Sequence, residues 1–200
     1  MKKILVYIFL LLITNAHSEV TKKITLVAKV NNFGISNIDL LEEIQIMKNL
    51  NTNLNNTDKQ ILEKIAIQNL IDEVLKRQEI DENDIQLSDS TFSKEYAQLI
   101  ASIEKTGVII DANIKKKIFL KVKLNNEWNQ LINQKYRWNV NVNINEIEDR
   151  LKDTKNIPTD GKELQELKNK LINIEKNKKL EVFSKIHLSK IKKQSLIKFF

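Results

Sequence analysis

The apolar positions of this chain recur mostly at helical spacing, and strict alternation is confined to a few short runs. One such run, "KITLVAKV" at 23–30, is rich in β-branched residues and predicts a strand. Asn32-Phe33-Gly34 predicts the turn after it, since Gly takes positive φ freely and Asn tolerates it. A helix then starts at Ser36-Asn37-Ile38-Asp39: the Ser hydroxyl can accept a backbone N–H, and Asp39 suits the first turn. Leu40, Leu41, Ile44, Met47 and Leu50 fall on one face of that helix.

"NTNLNNTD" at 51–58 is a polar connector, and Thr57 with Gln60 reads as a capping box for the next helix. That helix is expected to reach about residue 78, with Ile61, Leu62, Ile65, Ala66, Leu70, Ile71, Val74 and Leu75 as its stripe. The span 80–87 is acidic with scattered apolar residues and reads as a connector. Ser88 can cap a third helix with the stripe Phe92, Tyr96, Leu99, Ile100 and Ile103, which Gly107 stops in a left-handed conformation. Ile114, Ile118, Val122, Leu124, Trp128, Leu131 and Ile132 then keep near-helical spacing.

"RWNVNVNI" alternates, with Trp138, Val140, Val142 and Ile144 facing one way and asparagines the other, so an extended segment is expected there. Asn143 and Glu146 form the next cap pair. "DTKNIPTDGK" at 153–162 interrupts all periodicity and holds the single Pro. A long helix follows over about 163–192, carrying Leu164, Leu167, Leu171, Ile174, Leu180, Phe183, Ile186 and Leu188. The chain closes on the strand-like "SLIKFF". An isolated two-stranded hairpin is marginal in water, so this terminal strand is expected to pair with the strand at 23–30. Leu171, Ile174, Leu180 and Phe183 are then expected to pack on the N-terminal helices.

With only 3 Gly and 1 Pro, the composition favours long helices. The fold class expected is mainly α: a multi-helix module with a small N-terminal β-hairpin joined by a C-terminal strand. Lys2 and Lys3 precede an apolar run at 4–13, which has the length of a signal-peptide core and is too short to span a bilayer. Small residues at Ala16 and Ser18 predict cleavage before Glu19, with an uncleaved anchor as the alternative. Cleavage would remove two Lys and no acid from a formal charge of +7, and Lys and Glu are mixed along the helices. Export therefore argues against a nucleic-acid partner, and the absence of Cys leaves stability to helix packing rather than disulfides.

Few residues suggest chemistry. His187 is the one His beyond the leader, and with no Cys it lacks the fellow ligands a zinc site needs, so a helix-surface or interface role is expected and no metal or cofactor is assigned. Glu42-Glu43 and Asp72-Glu73 are adjacent helix positions that do not face each other, and they read as solvated. No phosphate-binding loop or nucleophile elbow occurs. Trp128, Tyr136 and Trp138 are candidate peptide-binding residues, since such side chains dominate binding hot spots; filling the core is the alternative. Met47 is a fourth candidate, as an adaptable apolar contact or a gap filler.

The order of these elements resembles the SurA-type periplasmic chaperones. "LVAKVNNFGISNIDLLEEI" looks like the opening of that family's N-terminal domain, and "ILEKIAIQNLIDEVLKRQEI" is similar to its second helix, with Leu70-Ile71-Asp72-Glu73 and Gln78 in the patterned places. "RWNVNVNINEI" resembles the exit from that domain, and the last helix with "SLIKFF" resembles the family's C-terminal helix and strand. Where family members carry parvulin isomerase domains, this chain has only the connector at 153–162, and it has no Gly-Gly pair. The resemblance divides the chain into a signal peptide (1–18), a chaperone domain (19–152), a linker in place of the parvulin domain (153–162) and a helix and strand packing back (163–200). It implies ATP-independent holding of unfolded outer-membrane or envelope proteins in the periplasm, without isomerase activity. The outer-membrane assembly machinery is a further candidate partner. The alternatives are a non-catalytic envelope scaffold with one dedicated partner, or the binding module of an isomerase system.

Overall fold

A computed structural model of the chain describes residues 23–152 and 161–200. The expected signal peptide and most of the connector at 153–162 lie outside the described residues. Strands β1 (Leu26–Val30) and β2 (Phe33–Ser36) lead into helix α1 (Asn37–Leu50). A single 3-10 turn at Thr52–Asn56 precedes α2 (Lys59–Glu82), α3 (Asp89–Glu104) and α4 (Ala112–Tyr136). The short α5 (Ile144–Lys152) and long α6 (Gly161–Gln194) then deliver β3 (Ile197–Phe199). The protein is mainly helical with one small antiparallel sheet, as the apolar spacing predicts.

The sheet order is β2–β1–β3, so the two ends of the described chain meet. Val30 lies opposite Ile197 and Ala28 opposite Phe199. The Asn31 N–H donates to the Leu196 carbonyl (2.8 Å), and the Phe200 N–H donates to the Val27 carbonyl (3.2 Å). The inner face of the sheet, Ala28, Val30 and Ile35, is buried on Ile71 and Leu75 of α2, which supplies the cover a hairpin lacks on its own.

The turn sits one residue earlier than expected. Asn31 takes the positive φ (+54°), and Gly34 lies within β2. Asn31 holds this conformation with both ends of its amide: Oδ1 accepts the Leu196 N–H (3.0 Å) and Nδ2 donates to Gln78 Oε1 (2.8 Å). Gly34 serves packing instead, because a Cβ there would lie 2.7 Å from Leu26 Cδ2. Ser36 caps α1 as expected and exchanges bonds with Asp39 in a full capping box.

Other boundaries shift for local reasons. Asp58, rather than Thr57, caps α2 by accepting the Gln60 and Ile61 N–H groups. The helix runs through Ile80, which is buried with Trp128, Leu131 and Ile132. Ser88 precedes α3 without a side-chain cap bond, and Gly107 adopts φ +80° beyond its end. "RWNVNVNI" becomes a 3-10 turn at Arg137–Asn139 followed by irregular chain. Its backbone is extended at Val140, but the alternation finds no ladder, since the sheet consists of β2, β1 and β3.

Helix α6 also divides its contacts differently from expectation. Its N-terminal half meets α5, with ion pairs from Lys168 to Glu148 (2.6 Å) and Arg150 to Glu175 (3.2 Å), and Ile174 stays largely exposed. Its C-terminal half packs on α2 and α4: Leu180, Leu188 and Ile191 join the Trp128 cluster, and Phe183 stacks on Tyr136 at 4.9 Å. Among the described residues, no helix is long and apolar enough to cross a membrane.

Candidate functional site

Three helices each turn a four-residue stripe at i, i+3, i+4 and i+7 toward one cleft beside β2. From α1 come Asp39, Glu42, Glu43 and Ile46; from α2, Leu70, Glu73, Val74 and Arg77; from α4, Lys117, Leu120, Lys121 and Leu124. Phe33, Gly34 and Ile35 of β2 form the remaining wall. The cleft encloses about 220 Å³, and Phe33 and Leu120 remain substantially exposed at its mouth. Among the described residues no strand pairs with the outer edge of β2.

The charged groups of this cleft are mostly bound to one another. Lys121 bridges two carboxylates: it forms an ion pair with Glu73, and its ammonium stands 2.6 Å from Glu43 Oε2. That second contact is ionic, without hydrogen-bond geometry, so Glu43 Oε2 accepts no hydrogen bond. Glu43 Oε1 accepts from Asn69 Nδ2 (3.0 Å). Lys117 pairs with Glu42, whose other oxygen accepts from Asn113 (3.0 Å), and Asp39 is engaged in the α1 cap. Arg77 is exposed at the rim and has no acidic partner among the described residues.

The solvated reading of Glu42-Glu43 is therefore corrected at Glu43, which is only 3% exposed. A buried carboxylate needs a counter-charge, and Lys121 comes from a helix almost eighty residues away in sequence. Spacing within α1 gives no sign of it.

The four residues singled out from the sequence occupy different places. Met47 is buried against Leu40, Leu62 and Ala66. Trp128 is 2% exposed and donates from Nε1 to Ser184 Oγ (2.7 Å). Tyr136 is half-buried, its hydroxyl 2.8 Å from His187 Nδ1. Trp138 is 80% exposed, with the Arg137 guanidinium 4.7 Å above its ring. None of the four lines the cleft beside β2.

Trp128 and Tyr136 instead belong to a buried polar hub joining α2, α4 and α6. His187 Nε2 lies 3.0 Å from Glu79 Oε1, which also accepts from Lys135 (2.7 Å). Burial alone would raise the Glu79 pKa, but the hydrogen bonds from Lys135 and His187 outweigh it and hold the carboxyl below its ordinary value. Partial burial near Trp128 lowers the pKa of Lys76, against the pull of Asp72. His187 thus takes an interface position, and its partners satisfy both ring nitrogens. Among the described residues, no cluster of three His, Cys, Asp or Glu side chains could hold a metal ion. No protein-family model matches this chain, and a search of curated proteins finds no similar sequence.

Proposed function

We propose that this chain is an ATP-independent holding chaperone of the periplasm, exported by its N-terminal leader, that takes extended apolar segments of unfolded outer-membrane proteins. The observation that supports this reading is the cleft beside β2: its walls carry apolar side chains between their ion pairs, a strand edge unpaired among the described residues flanks it, and most of its charges are neutralised in place. An extended segment could set side chains between Phe33, Val74 and Leu120 while its backbone runs along β2, which lines the cleft with Phe33, Gly34 and Ile35. The fixed ion pairs give the cleft a polar surround without demanding a matching charge at each position, which suits loose recognition of many clients. Release would need no nucleotide, because each contact is individually weak. The chain would act without isomerase activity of its own.

Light scattering from unfolded barrel proteins tests this reading. The chain lacking residues 1–18 should slow their aggregation without ATP at near-stoichiometric ratios. Phe33→Ser and Leu120→Glu, both at partly exposed positions, should weaken the effect while the chain stays folded. Scattering unchanged for several clients would defeat the holding reading and favour a scaffold with one dedicated envelope partner. Full protection by both variants would show that clients do not use this cleft.

A further inference from the structure

The cleft also carries a polarity that narrows what it would hold. Its α2 stripe, Leu70 to Arg77, spans about 10 Å at 1.5 Å per residue, close to the length of three extended residues. One end of the stripe lies against α1, since the adjacent Asn69 donates to Glu43. The other lies at the β1–β2 turn, since Gln78 accepts from Asn31. The acidic groups Asp39, Glu42 and Glu43 therefore gather at the α1 end, and Arg77 stands alone at the turn end.

These charges differ in what they can still offer. Lys117 is committed to Glu42, and Lys121 serves both Glu43 and Glu73. The triad around Lys121 carries one surplus negative charge, and Asp39 adds another. An anionic group entering at the α1 end would meet this surplus. At the turn end it would meet the guanidinium of Arg77, planar, cationic and without an acidic partner among the described residues.

We propose that the cleft selects extended apolar segments that carry a carboxylate at one end, and that Arg77 is the residue that reads it. This deepens the holding reading and rests on it: apolar side chains of the client fill the space between Phe33, Val74 and Leu120, and the client's Asp, Glu or terminal carboxylate pairs with Arg77 at the turn end. Arg77 sets both the preference and the direction in which the segment lies.

Two ten-residue peptides of Leu, Val, Thr and Ser test this. One carries a single Glu near one end and the other a Gln in its place, both blocked at their termini and labelled with a neutral fluorophore. Fluorescence anisotropy should show the Glu peptide binding about three- to fivefold more tightly than the Gln peptide at low salt, the range of an exposed ion pair. The preference should disappear in Arg77→Gln, which should bind the Glu and Gln peptides equally, and should shrink on the unaltered chain as salt screens the pair. Equal affinities on the unaltered chain, or a preference that survives Arg77→Gln, would overturn the charge selection and leave holding intact. Failure of both peptides to bind would overturn the two readings together.

Discussion

Lys121 is the residue on which the cleft's electrostatics turn, because a single ammonium compensates Glu43 and Glu73. Replacing it by Met would leave a carboxylate 3% exposed without a counter-charge. Breaking a fully buried pair costs about 3–5 kcal/mol, and this site is partly wet on the Lys121 side, so Lys121→Met should cost roughly 2–3 kcal/mol in urea unfolding. Adding Glu43→Gln should recover part of that loss; a double variant no more stable than Lys121→Met would place the cost in packing instead. Glu79 gives a second prediction at this scale. Its folded pKa lies below the unfolded value, so its contribution to stability is complete above the unfolded pKa, near 4.5, and is lost as the pH falls through the folded one. Thermal melts from neutral pH into the acid range should show a shallower loss for Glu79→Gln than for the unaltered chain. Parallel profiles would mean that Glu79 has no part in the acid sensitivity.

Among the elements, β3 shows how far pairing and burial can separate. Its backbone closes the sheet on β1, but Leu196, Phe199 and Phe200 are all more than 60% exposed. Ile197 is the side chain that joins the core, next to Ala28, Val30 and Leu75. Removing residues 195–200 should therefore cost only about 1–2 kcal/mol, the share of one partly buried Ile together with a few ladder bonds, not the sum for four large apolar side chains. Urea midpoints of the truncated and full chains, both without residues 1–18, measure it. No loss at all would mean that β1 and β2 stand on α2 without a third strand. The long α6 follows the same logic: it buries little per turn, and its hold on α2 and α4 is concentrated in the stretch from Leu180 to Ile191 around His187.

For the molecule as a whole, the three-helix cleft and the polar hub draw on successive stretches of α4. Lys117, Leu120, Lys121 and Leu124 serve the cleft, while Trp128 and Tyr136, further along the same helix, serve the hub with α6. The hub fixes the arrangement of α2, α4 and α6 without lending a side chain to the cleft. The shape of the cleft is thus set in part elsewhere in the fold.

Local patterns in the sequence were enough to place the main helices and the sheet. Ser36 and Asp39 specify the α1 cap through bonds three residues apart, Gly107 takes the left-handed turn expected of it, and the apolar periodicity of α4 marks its inner face, while in the expected α2 stripe Leu62, Ala66, Ile71 and Leu75 are buried but Ile61 and Ile65 are exposed. The closing strand was legible too, because a lone hairpin cannot cover its own apolar face. Only the tertiary structure decided what each face meets. It buried Glu43 and exposed Trp138, reversing what residue type alone suggests, and it left "RWNVNVNI" without a strand partner. It also gathered the stripes of three helices and β2 into one cleft and left Arg77 at its rim without an acid among the described residues. The physical reason is common to all of these: caps and periodicity act within a few residues, whereas counter-charges, strand partners and cleft walls come from segments tens of residues apart that meet only once the chain has folded.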